Sequence, residues 1–381
     1  MVAPKPVEEV IIARPEDIVP SSDDMQVIGC INPGGTLFRE GDKEQTYLLV
    51  RVIEKTKTKF PGHIASPRAI QSETGDYEVR LDWERKGIDA RVNGPCSFQT
   101  VGPEERVRLT TISHFRLMKS EDGINFNRIC DKPTFFPLTK YEEFGVEDPR
   151  ITRFDRGIDI DGETYGYLMS YVGCSEDYDI CTAFAVTNDF KSFVRLPKDS
   201  PKIIFSSPSK DVVLFPKKIL NPRTGEEEYL ALTRPMGGGG YMIPSIFLSY
   251  SKDLIQWGDY TPLVKGDEKG HVGAGPPPIE VEEGWLIIYH QHRHLPKGAE
   301  QYVARALLVD KNDPSRILRN SGAFLEPHTN IQTEGSGKNV TFPSAAILHD
   351  DKILVYTGEE DAVTALHIHE LTRLMVLLQP I

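Results

Sequence analysis

The chain repeats one pattern five times, and this repeat limits its fold more than any other feature. In each copy a proline begins a short apolar run, and after a turn a second apolar run ends on a polar residue. The last four of these prolines lie about 65 residues apart. The five are Pro33, Pro149, Pro216, Pro277 and Pro343. A repeat of that length with strand periodicity is typical of a propeller blade. We therefore predict an all-β fold, a five-bladed β-propeller with N-terminal and C-terminal extensions.

The second apolar run of each copy predicts a second strand in each blade. These runs are residues 48–51, 167–171, 230–234, 285–290 and 353–358. A further repeat follows in phase, in which a strand leads to an aspartate-centred turn and then to an aromatic residue. Its aspartates are Asp122, Asp189 and Asp253. Because an aspartate side chain can accept hydrogen bonds from its own turn, we predict a structural role for all three.

The repeats divide the chain into three parts. We expect an N-terminal arm at residues 1–25, the propeller at 26–365 and a closing segment at 366–381. About 116 residues separate Pro33 from Pro149, so residues 54–108 must hold an insertion with extra strands and loops. Either end of the chain is available to latch the ring or to contact a second copy in a homo-oligomer.

Composition narrows the class of partner. The net charge of −12 argues against nucleic acid, since phosphate backbones select basic surfaces. Five scattered cysteines form no CxxC pair, which argues against a zinc site of that type and against a disulfide framework. The N-terminal residues lack the pattern of a secretory signal, and no apolar stretch is long enough to cross a membrane. We expect a cytoplasmic protein without a cofactor.

In a radial β fold the ends of the innermost strands meet at the mouth of a funnel. Residues at equivalent positions of the five repeats would therefore come together at this mouth, although they are distant in the sequence. They are Asn32, Arg51, Asp148, Arg150, Arg234, His290, Glu360 and Asp361, with Lys210, Asp211 and His271 just before the third and fourth innermost strands. A ligand site is predicted at this mouth.

The segment Gly145-Val146-Glu147-Asp148-Pro149-Arg150 holds two adjacent acids. On an extended strand they cannot both face the same side, so one is expected to point inward. Asp148 either accepts hydrogen bonds from turn amides or acts as a general acid whose pKa is raised by partial burial. Arg150 would instead keep it ionised, and the sequence leaves that pKa open.

A second group is basic. Arg195, Lys210, His271 and His290 fall at the edges of consecutive blades. Each alone is also compatible with a surface or core role, but together they predict a pocket for phosphate or another oxyanion. Residues 237–240 are four glycines without the Lys-Ser/Thr ending or the helix of a phosphate loop. We interpret them as a loop at the funnel rim.

Four further histidines form two pairs with strand spacing. They are His292 with His294, and His367 with His369. Each pair would lie on one face of a strand, so that both rings of a pair could bind the same metal ion. No third ligand is suggested nearby in the sequence, so we predict surface or core roles and no metal site.

Four ordered motifs resemble glycoside hydrolase family 130. They begin at Val146-Glu147-Asp148-Pro149-Arg150, Lys210-Asp211-Val212, Gly273-Ala274-Gly275 with Gly284-Trp285, and Asn339-Val340-Thr341-Phe342-Pro343. The resemblance spans about residues 32–361. It implies a five-bladed propeller that acts on β-mannosides. Most members are inverting phosphorylases, and a minority are hydrolases.

The resemblance also implies roles for individual residues. Asp148 matches the general acid, which in several members is thought to deliver its proton through a mannosyl hydroxyl. Arg195, Lys210, His271 and His290 match the phosphate site, although the family more often has lysine at position 271 and commonly arginine at 210. Asn32, Arg51 and Asp361 match sugar-site positions. We predict that Glu147, Arg150, Asp211 and Arg234 also bind substrate.

The chemistry favours phosphorolysis. An inverting hydrolase needs a second carboxylate to activate water, whereas phosphate is already anionic and needs only cations that position it. The family's hydrolases have glutamates where this chain has the four basic residues. We therefore predict phosphorolysis of β-mannosides, with β-1,2 linkages favoured by the segments 16–21 and 27–33. A hydrolase, a β-1,4-mannoside phosphorylase and a non-catalytic carbohydrate-binding propeller remain as alternatives.

Overall fold

The computed structural model describes residues 6–41, 43–71, 77–205, 209–236, 243–268, 270–296, 299–327 and 339–381. These residues are mainly β-strand, as the repeats predict. One α-helix, α1 (Leu371–Leu377), and one 3-10 turn at Pro15–Asp17 are the helical elements of the described residues. The four glycines at 237–240 lie outside the described residues.

The strands are as follows. The first nine are β1 (Glu8–Ala13), β2 (Met25–Glu40), β3 (Lys43–Thr56), β4 (His63–Gln71), β5 (Tyr77–Arg85), β6 (Ala90–Val92), β7 (Ser97–Thr100), β8 (Val107–Leu109) and β9 (Ile112–Ser120). The next nine are β10 (Val146–Ile160), β11 (Glu163–Ser175), β12 (Asp179–Thr187), β13 (Val194–Arg195), β14 (Ser209–Leu214), β15 (Ile219–Leu220), β16 (Glu227–Pro235), β17 (Ile246–Ser251) and β18 (Gly258–Val264). The last nine are β19 (Val272–Ala274), β20 (Ile279–Val281), β21 (Gly284–His294), β22 (Glu300–Val309), β23 (Ile317–Leu325), β24 (Asn339–His349), β25 (Lys352–Glu359), β26 (Val363–Glu370) and β27 (Gln379–Pro380).

Most of these strands form five antiparallel units that follow one another along the chain. We number them sheets one to five. Their strand orders are β2-β3-β9, β10-β11-β12-β13, β14-β16-β17-β18, β19-β21-β22-β23 and β24-β25-β26-β1. Two parallel residue pairs between β22 and β24 connect sheets four and five. The earliest strand of sheets one to four, and β24 of sheet five, lies at one edge of its sheet, which we call the inner edge.

The apolar core lies in layers between sheets. Five of the buried clusters each combine residues of two sheets. Their representative pairs are Leu49 with Met169, Leu168 with Leu214, Leu232 with Ile287, Ile288 with Val355, and Leu354 with Leu48. The first four layers join sheets that are consecutive in the chain, and the fifth joins sheet five to sheet one. Burial of these residues is the main stabilising contribution to the arrangement.

The inner edges also meet one another. Thr152 Oγ1 donates to the Leu214 carbonyl at 3.3 Å, and Ser344 Oγ donates to the Pro33 carbonyl at 2.9 Å. A Cβ atom at position 34 would lie 2.8 Å from the Pro149 carbonyl oxygen, and one at position 275 would lie 2.9 Å from that of Pro343. The inner edges of these sheets therefore approach each other at van der Waals distance.

The outer edge of sheet five comes from the beginning of the chain. Strand β1 pairs antiparallel with β26, and Glu8 lies opposite Ile368. The buried ring of His367 on β26 lies between Glu9 of β1, at 3.2 Å, and Glu359 of β25, at 3.1 Å. Burial opposes protonation of His367, but its bonds to Glu359 and Glu9 outweigh this and raise its pKa to about 9.

The C-terminal residues pack against sheets four and five. Leu374 and Leu378 join the apolar layer between these sheets. Strand β27 then pairs with β23. Between β3 and β9, the predicted insertion forms a hairpin, β4-β5, and a three-stranded sheet, β6-β7-β8.

The aspartate-centred turns are confirmed. Oδ1 of Asp122 accepts hydrogen bonds from the amides of the residues two and three positions later, at 2.8 and 2.7 Å. Asp189 and Asp253 do the same at 2.8 to 2.9 Å. A hydroxyl group two positions before each aspartate adds a further bond, because it accepts from the amide of the residue that follows the aspartate. These hydroxyl residues are Ser120, Thr187 and Ser251.

The predicted second strands lie in β3, β11, β16, β21 and β25, as expected. The positions of the five repeat prolines within the strands were predicted less accurately. Pro33, Pro149 and Pro343 lie inside the inner strands β2, β10 and β24, but Pro216 follows β14 and Pro277 follows β19. The proline of each repeat therefore lies within or after its inner strand, and in no sheet does it begin that strand. The five cysteines are free thiols. In the described ranges, no helix has the length and apolar content needed to cross a membrane.

Candidate active site

A shared backbone distortion places polar side chains at the inner edges. Asn32, Asp148 and Asp211 have φ values of 46°, 49° and 54°, in the left-handed region. Each lies at a register shift between its inner strand and the next strand of the sheet. A β-bulge of this kind bends the strand and re-aims a side chain. Asparagine and aspartate tolerate the left-handed conformation better than most residues, which explains their recurrence here.

The bulge brings both acids of the Glu147-Asp148 pair to one guanidinium. Arg51 Nη1 donates to Asp148 Oδ1 at 3.0 Å, and Arg51 Nη2 donates to Glu147 Oε1. Asn32 Nδ2 donates to the same Asp148 oxygen at 2.9 Å, and Lys210 Nζ lies 3.2 Å from Glu147 Oε2. The prediction that the two acids face opposite sides is wrong, because the left-handed residue interrupts the alternation of an extended strand.

Asp148 is ionised in this arrangement. Burial opposes ionisation, but the positive charges of Arg51, Arg150 and Lys210 outweigh it and lower the pKa of Asp148 to about 2. The sequence left this pKa open between a rise caused by burial and a fall caused by Arg150, and the three cations together give the fall. Burial likewise opposes ionisation of Glu147, and Arg51 and Lys210 lower its pKa.

A second group surrounds the carboxylate of Asp211. Arg234 Nε lies 2.7 Å from Asp211 Oδ2, His290 Nε2 lies 3.5 Å from the same oxygen, and Arg150 Nη2 lies 3.7 Å from Oδ1. Arg150 Nε donates to the carbonyl of Gly275 at 2.8 Å, and its Nη1 donates to the carbonyl of Asp148 at 3.0 Å. Arg150 thus connects the Asp211 group to the Asp148 group.

The backbone of β19 is close to this second group. A Cβ atom on Gly273 would lie 2.1 Å from Asp211 Oδ2 and 2.6 Å from His290 Nε2. Only glycine fits at this position without moving the carboxylate or the imidazole.

The two histidines predicted for the phosphate pocket, His271 and His290, lie near each other, with ring centroids 6.3 Å apart, but both are uncharged. Burial lowers the pKa of His290 well below its ordinary value, and nearby Arg234 lowers it further. Burial, with the same arginine, lowers the pKa of His271 to about 3. The prediction of cations at positions 271 and 290 is therefore wrong at neutral pH. Both rings remain able to donate one hydrogen bond as neutral imidazoles.

Arg195 is not part of the group. It lies on β13, three strands from β10, which corresponds to about 14 Å at ordinary strand spacing. Its Nε donates to Glu142 Oε1 at 2.9 Å, its Nη2 donates to the Phe136 carbonyl at 2.6 Å, and its guanidinium stacks on Phe135. The prediction that Arg195 joins Lys210, His271 and His290 is contradicted, because β13 forms the outer edge of sheet two.

Two aromatic residues at the site were not predicted. The Tyr302 hydroxyl lies 3.4 Å from His271 Nε2, and the Phe342 ring lies 4.3 Å from that of His290. Phe342 precedes the proline of the fifth repeat, so its position in the repeat was an available signal. Tyr302 lies opposite His292 on β22, which only the strand register reveals.

Asp361 approaches the site from the β25-β26 turn. Asp361 and Glu360 both have φ values in the left-handed region, at 55° and 53°. Burial raises the pKa of Tyr302, and the charges of Asp211 and Asp361 add to this rise. The two groups contain nine of the twelve predicted site residues, namely Asn32, Arg51, Glu147, Asp148, Arg150, Lys210, Asp211, Arg234 and His290. His271 lies beside His290, with ring centroids 6.3 Å apart, and Arg195 lies apart from both groups.

Comparison with known proteins is consistent with this geometry. The family profile described as beta-1,4-mannooligosaccharide phosphorylase, that of glycoside hydrolase family 130, matches residues 106–380. The chain belongs to glycoside hydrolase family 130. A β-1,2-mannobiose phosphorylase of Listeria innocua is 32% identical over 370 residues, which span 94% of this chain and 93% of that protein.

Other members of family 130 are similar as well. A 1,2-β-oligomannan phosphorylase of Thermoanaerobacter sp. is 34% identical over 269 residues, which cover 68% of this chain and 79% of that protein. The solved structure of the Listeria innocua β-1,2-mannobiose phosphorylase in complex with β-1,2-mannobiose has a TM-score of 0.79 and 28% identity, and covers 96% of each chain. This family 130 chain therefore shares its fold with a sugar-bound member over nearly its whole length.

Proposed function

We propose that this enzyme is an inverting β-mannoside phosphorylase, which cleaves β-1,2-linked mannooligosaccharides with inorganic phosphate and releases α-mannose 1-phosphate. The observation that supports it most is the position of Asp148. This acid lies within hydrogen-bonding distance of Asn32 and Arg51 and is joined through Arg150 to a second group of buried donors. The group around Asp148 would supply the general acid, and the group that contains Arg150, Arg234 and His290 would bind the phosphate anion.

In this proposal Asp148 is the general acid, whether it protonates the glycosidic oxygen directly or through a sugar hydroxyl. Its pKa of about 2 is too low for a proton donor at neutral pH. A phosphate dianion near Arg150 and Lys210 would offset part of the positive charge that lowers this pKa. Phosphate binding would therefore raise the pKa of Asp148 toward the range in which general acid catalysis operates.

The proposed phosphate pocket consists of Arg150, Lys210, Arg234, His271 and His290. Among the described residues, Arg150 Nη2 and both ring nitrogens of His290 are buried and make no hydrogen bond. Buried polar groups without partners are costly in a folded protein. An oxyanion that accepted hydrogen bonds from Arg150 Nη2 and from the protonated ring nitrogen of His290 would remove part of that cost. Charge-assisted bonds from two arginines would hold it firmly.

The acids of the site favour phosphate over water as the nucleophile. An inverting hydrolase needs a free carboxylate to act as a base toward water. Glu147 contacts Arg51 and Lys210, which lower its pKa, and Asp211 contacts Arg150 and Arg234. Neither of these two carboxylates is therefore free to activate water. Three carbohydrate phosphorylases with β-1,2 specificity in their names are 31–34% identical to the chain, which supports the linkage.

We also infer that the five sheets are the blades of a five-bladed β-propeller. This catalytic domain extends beyond the predicted bounds of 26–365, because β1 and the last residues of β26 complete sheet five. Two observations support this. Each apolar layer joins neighbouring sheets, and the layer that contains Leu354 and Leu48 joins the last sheet to the first. The proposed active site then lies at the centre, where the inner edges meet.

The test is incubation of the purified protein with β-1,2-mannobiose, with and without phosphate. We expect mannose 1-phosphate to form only when phosphate is present, and β-1,4-mannobiose to react more slowly. Free mannose released without phosphate would instead identify a hydrolase. Binding of the disaccharide without any turnover would indicate a carbohydrate-binding protein.

A further inference from the structure

A cluster of metal-ligating side chains lies beside the candidate active site. His292 and His294 are two apart on β21, so their rings lie on the same face of the strand. Glu300 lies directly opposite His294 on the neighbouring strand β22. The earlier prediction that no third ligand lies near these histidines is therefore wrong, because the hairpin brings Glu300 back to them.

The three side chains converge on one point. One nitrogen or oxygen atom from each lies within 4.8 Å of the others. His292 Nε2 is 3.5 Å from Glu300 Oε2, and His294 Nδ1 is 3.8 Å from Glu300 Oε1. Ligands at ordinary zinc distances in a tetrahedral site are about 3.4 Å apart, so the cluster needs only small side-chain movements to hold an ion.

His292 is already held in place. Its ring stacks on His271 with centroids 4.7 Å apart and an interplanar angle of 17°, and the ring of Tyr302 lies 4.8 Å away. Its amide donates to the carbonyl of His271 at 2.9 Å. A ligand whose orientation is fixed by its neighbours loses less entropy when it binds a metal.

We propose that His292, His294 and Glu300 bind a divalent transition-metal ion. Two imidazoles and one carboxylate are a ligand set that zinc accepts, and a fourth position would remain open to water or another small ligand. Calcium and magnesium prefer sites made only of oxygen atoms and are not expected to bind. The ion would lie next to His271, at the edge of the candidate active site, and separate from the group around Asp148.

The test is isothermal titration calorimetry of the tag-free, chelator-treated protein with zinc chloride in a phosphate-free buffer. We expect one equivalent of zinc to bind, and His294→Ala and Glu300→Gln each to weaken binding by about tenfold or more. Both side chains are largely exposed, at 58% and 64%, so both variants are expected to fold. His349→Ala is the matched control, since His349 is a 52% exposed histidine 3.5 Å from Asp350.

Three outcomes would overturn the proposal. They are the absence of zinc binding to the unaltered protein, binding that survives either substitution with less than a threefold change, and an equal loss in the His349→Ala control. No sugar or phosphate is used. A negative result therefore leaves the proposed phosphorylase activity untouched, and failure of that activity does not affect this measurement.

Discussion

The backbone of Gly273 lies so close to Asp211 that a Cβ atom at this position would be 2.1 Å from the carboxylate oxygen. Gly273→Ala must therefore displace Asp211 or the neighbouring imidazole of His290. We expect phosphorolysis to fall by at least about 100-fold, since displacements of about 1 Å have effects of that size. Overpacking should also lower the free energy of unfolding by about 1–3 kcal/mol. Initial rates and thermal denaturation measure the two effects.

Gly322→Ala is the matched control for this substitution. No atom lies within 4 Å of a Cβ added at position 322. The control should keep nearly full activity and the same melting temperature. Full activity in Gly273→Ala would show that the position of Asp211 does not matter for turnover.

Asp148→Asn tests the proposed general acid. The amide keeps the shape of the side chain but cannot transfer a proton, so we expect kcat to fall by about 10²- to 10⁴-fold. Binding of β-1,2-mannobiose, measured by calorimetry, should remain within a few-fold of that of the unaltered protein. A variant that retains more than a tenth of the activity would exclude Asp148 from this role.

Lys210→Ala tests the position of the phosphate pocket. Loss of one charge-assisted hydrogen bond should raise the KM for phosphate by about tenfold, with a smaller change in kcat. Arg195→Ala is the informative comparison, because Arg195 lies on the outer strand β13 and holds Glu142. This second variant should lower the melting temperature and leave the KM for phosphate within about twofold. A raised KM for phosphate in Arg195→Ala, with no change in Lys210→Ala, would instead show that Arg195 contacts phosphate and that Lys210 does not.

His367 should make stability depend on pH. Its pKa of about 9 in the folded protein exceeds the ordinary value of 6.5, because Glu359 and Glu9 outweigh the effect of burial. The protonated ring therefore stabilises the fold fully below pH 6.5, and this contribution is lost as pH rises through 9. The difference corresponds to at most about 3 kcal/mol of unfolding free energy. Urea denaturation between pH 6 and 9.5 measures it.

His367→Gln supplies the control, since it removes the titrating group. The gap in unfolding free energy between the two proteins should shrink as pH rises from 6.5 to 9. A gap that stays constant over this interval would mean that the ring is neutral in the folded protein.

The sequence predicted the repeated strands well because strand periodicity and turn residues are local properties. The second strands and the turns at Asp122, Asp189 and Asp253 follow from a few neighbouring residues each. Asn32, Asp148 and Asp211 were selected as site residues from their place in the repeat. Their bulges were not predicted, because a bulge is defined by the register of two paired strands.

Charge states were predicted poorly for a related reason. The pKa values of Asp148 and His271 depend on cations and on burial contributed by other sheets. Arg51 lowers the pKa of Asp148 although 97 residues separate them. Arg195 was misplaced because its family resemblance identified a position but not the strand of the sheet on which it lies. Glu300 was missed because its proximity to His294 arises only when β21 and β22 pair.

The pairing of β1 with β26 sets an order of events during protein synthesis. Residue 8 leaves the ribosome long before residue 368, its partner across the strands. Until then the first strand has no edge to join, and its apolar residues stay exposed to other chains and to chaperones. Sheet five is therefore expected to be the last to form, and the slowest step in maturation should be the capture of β1.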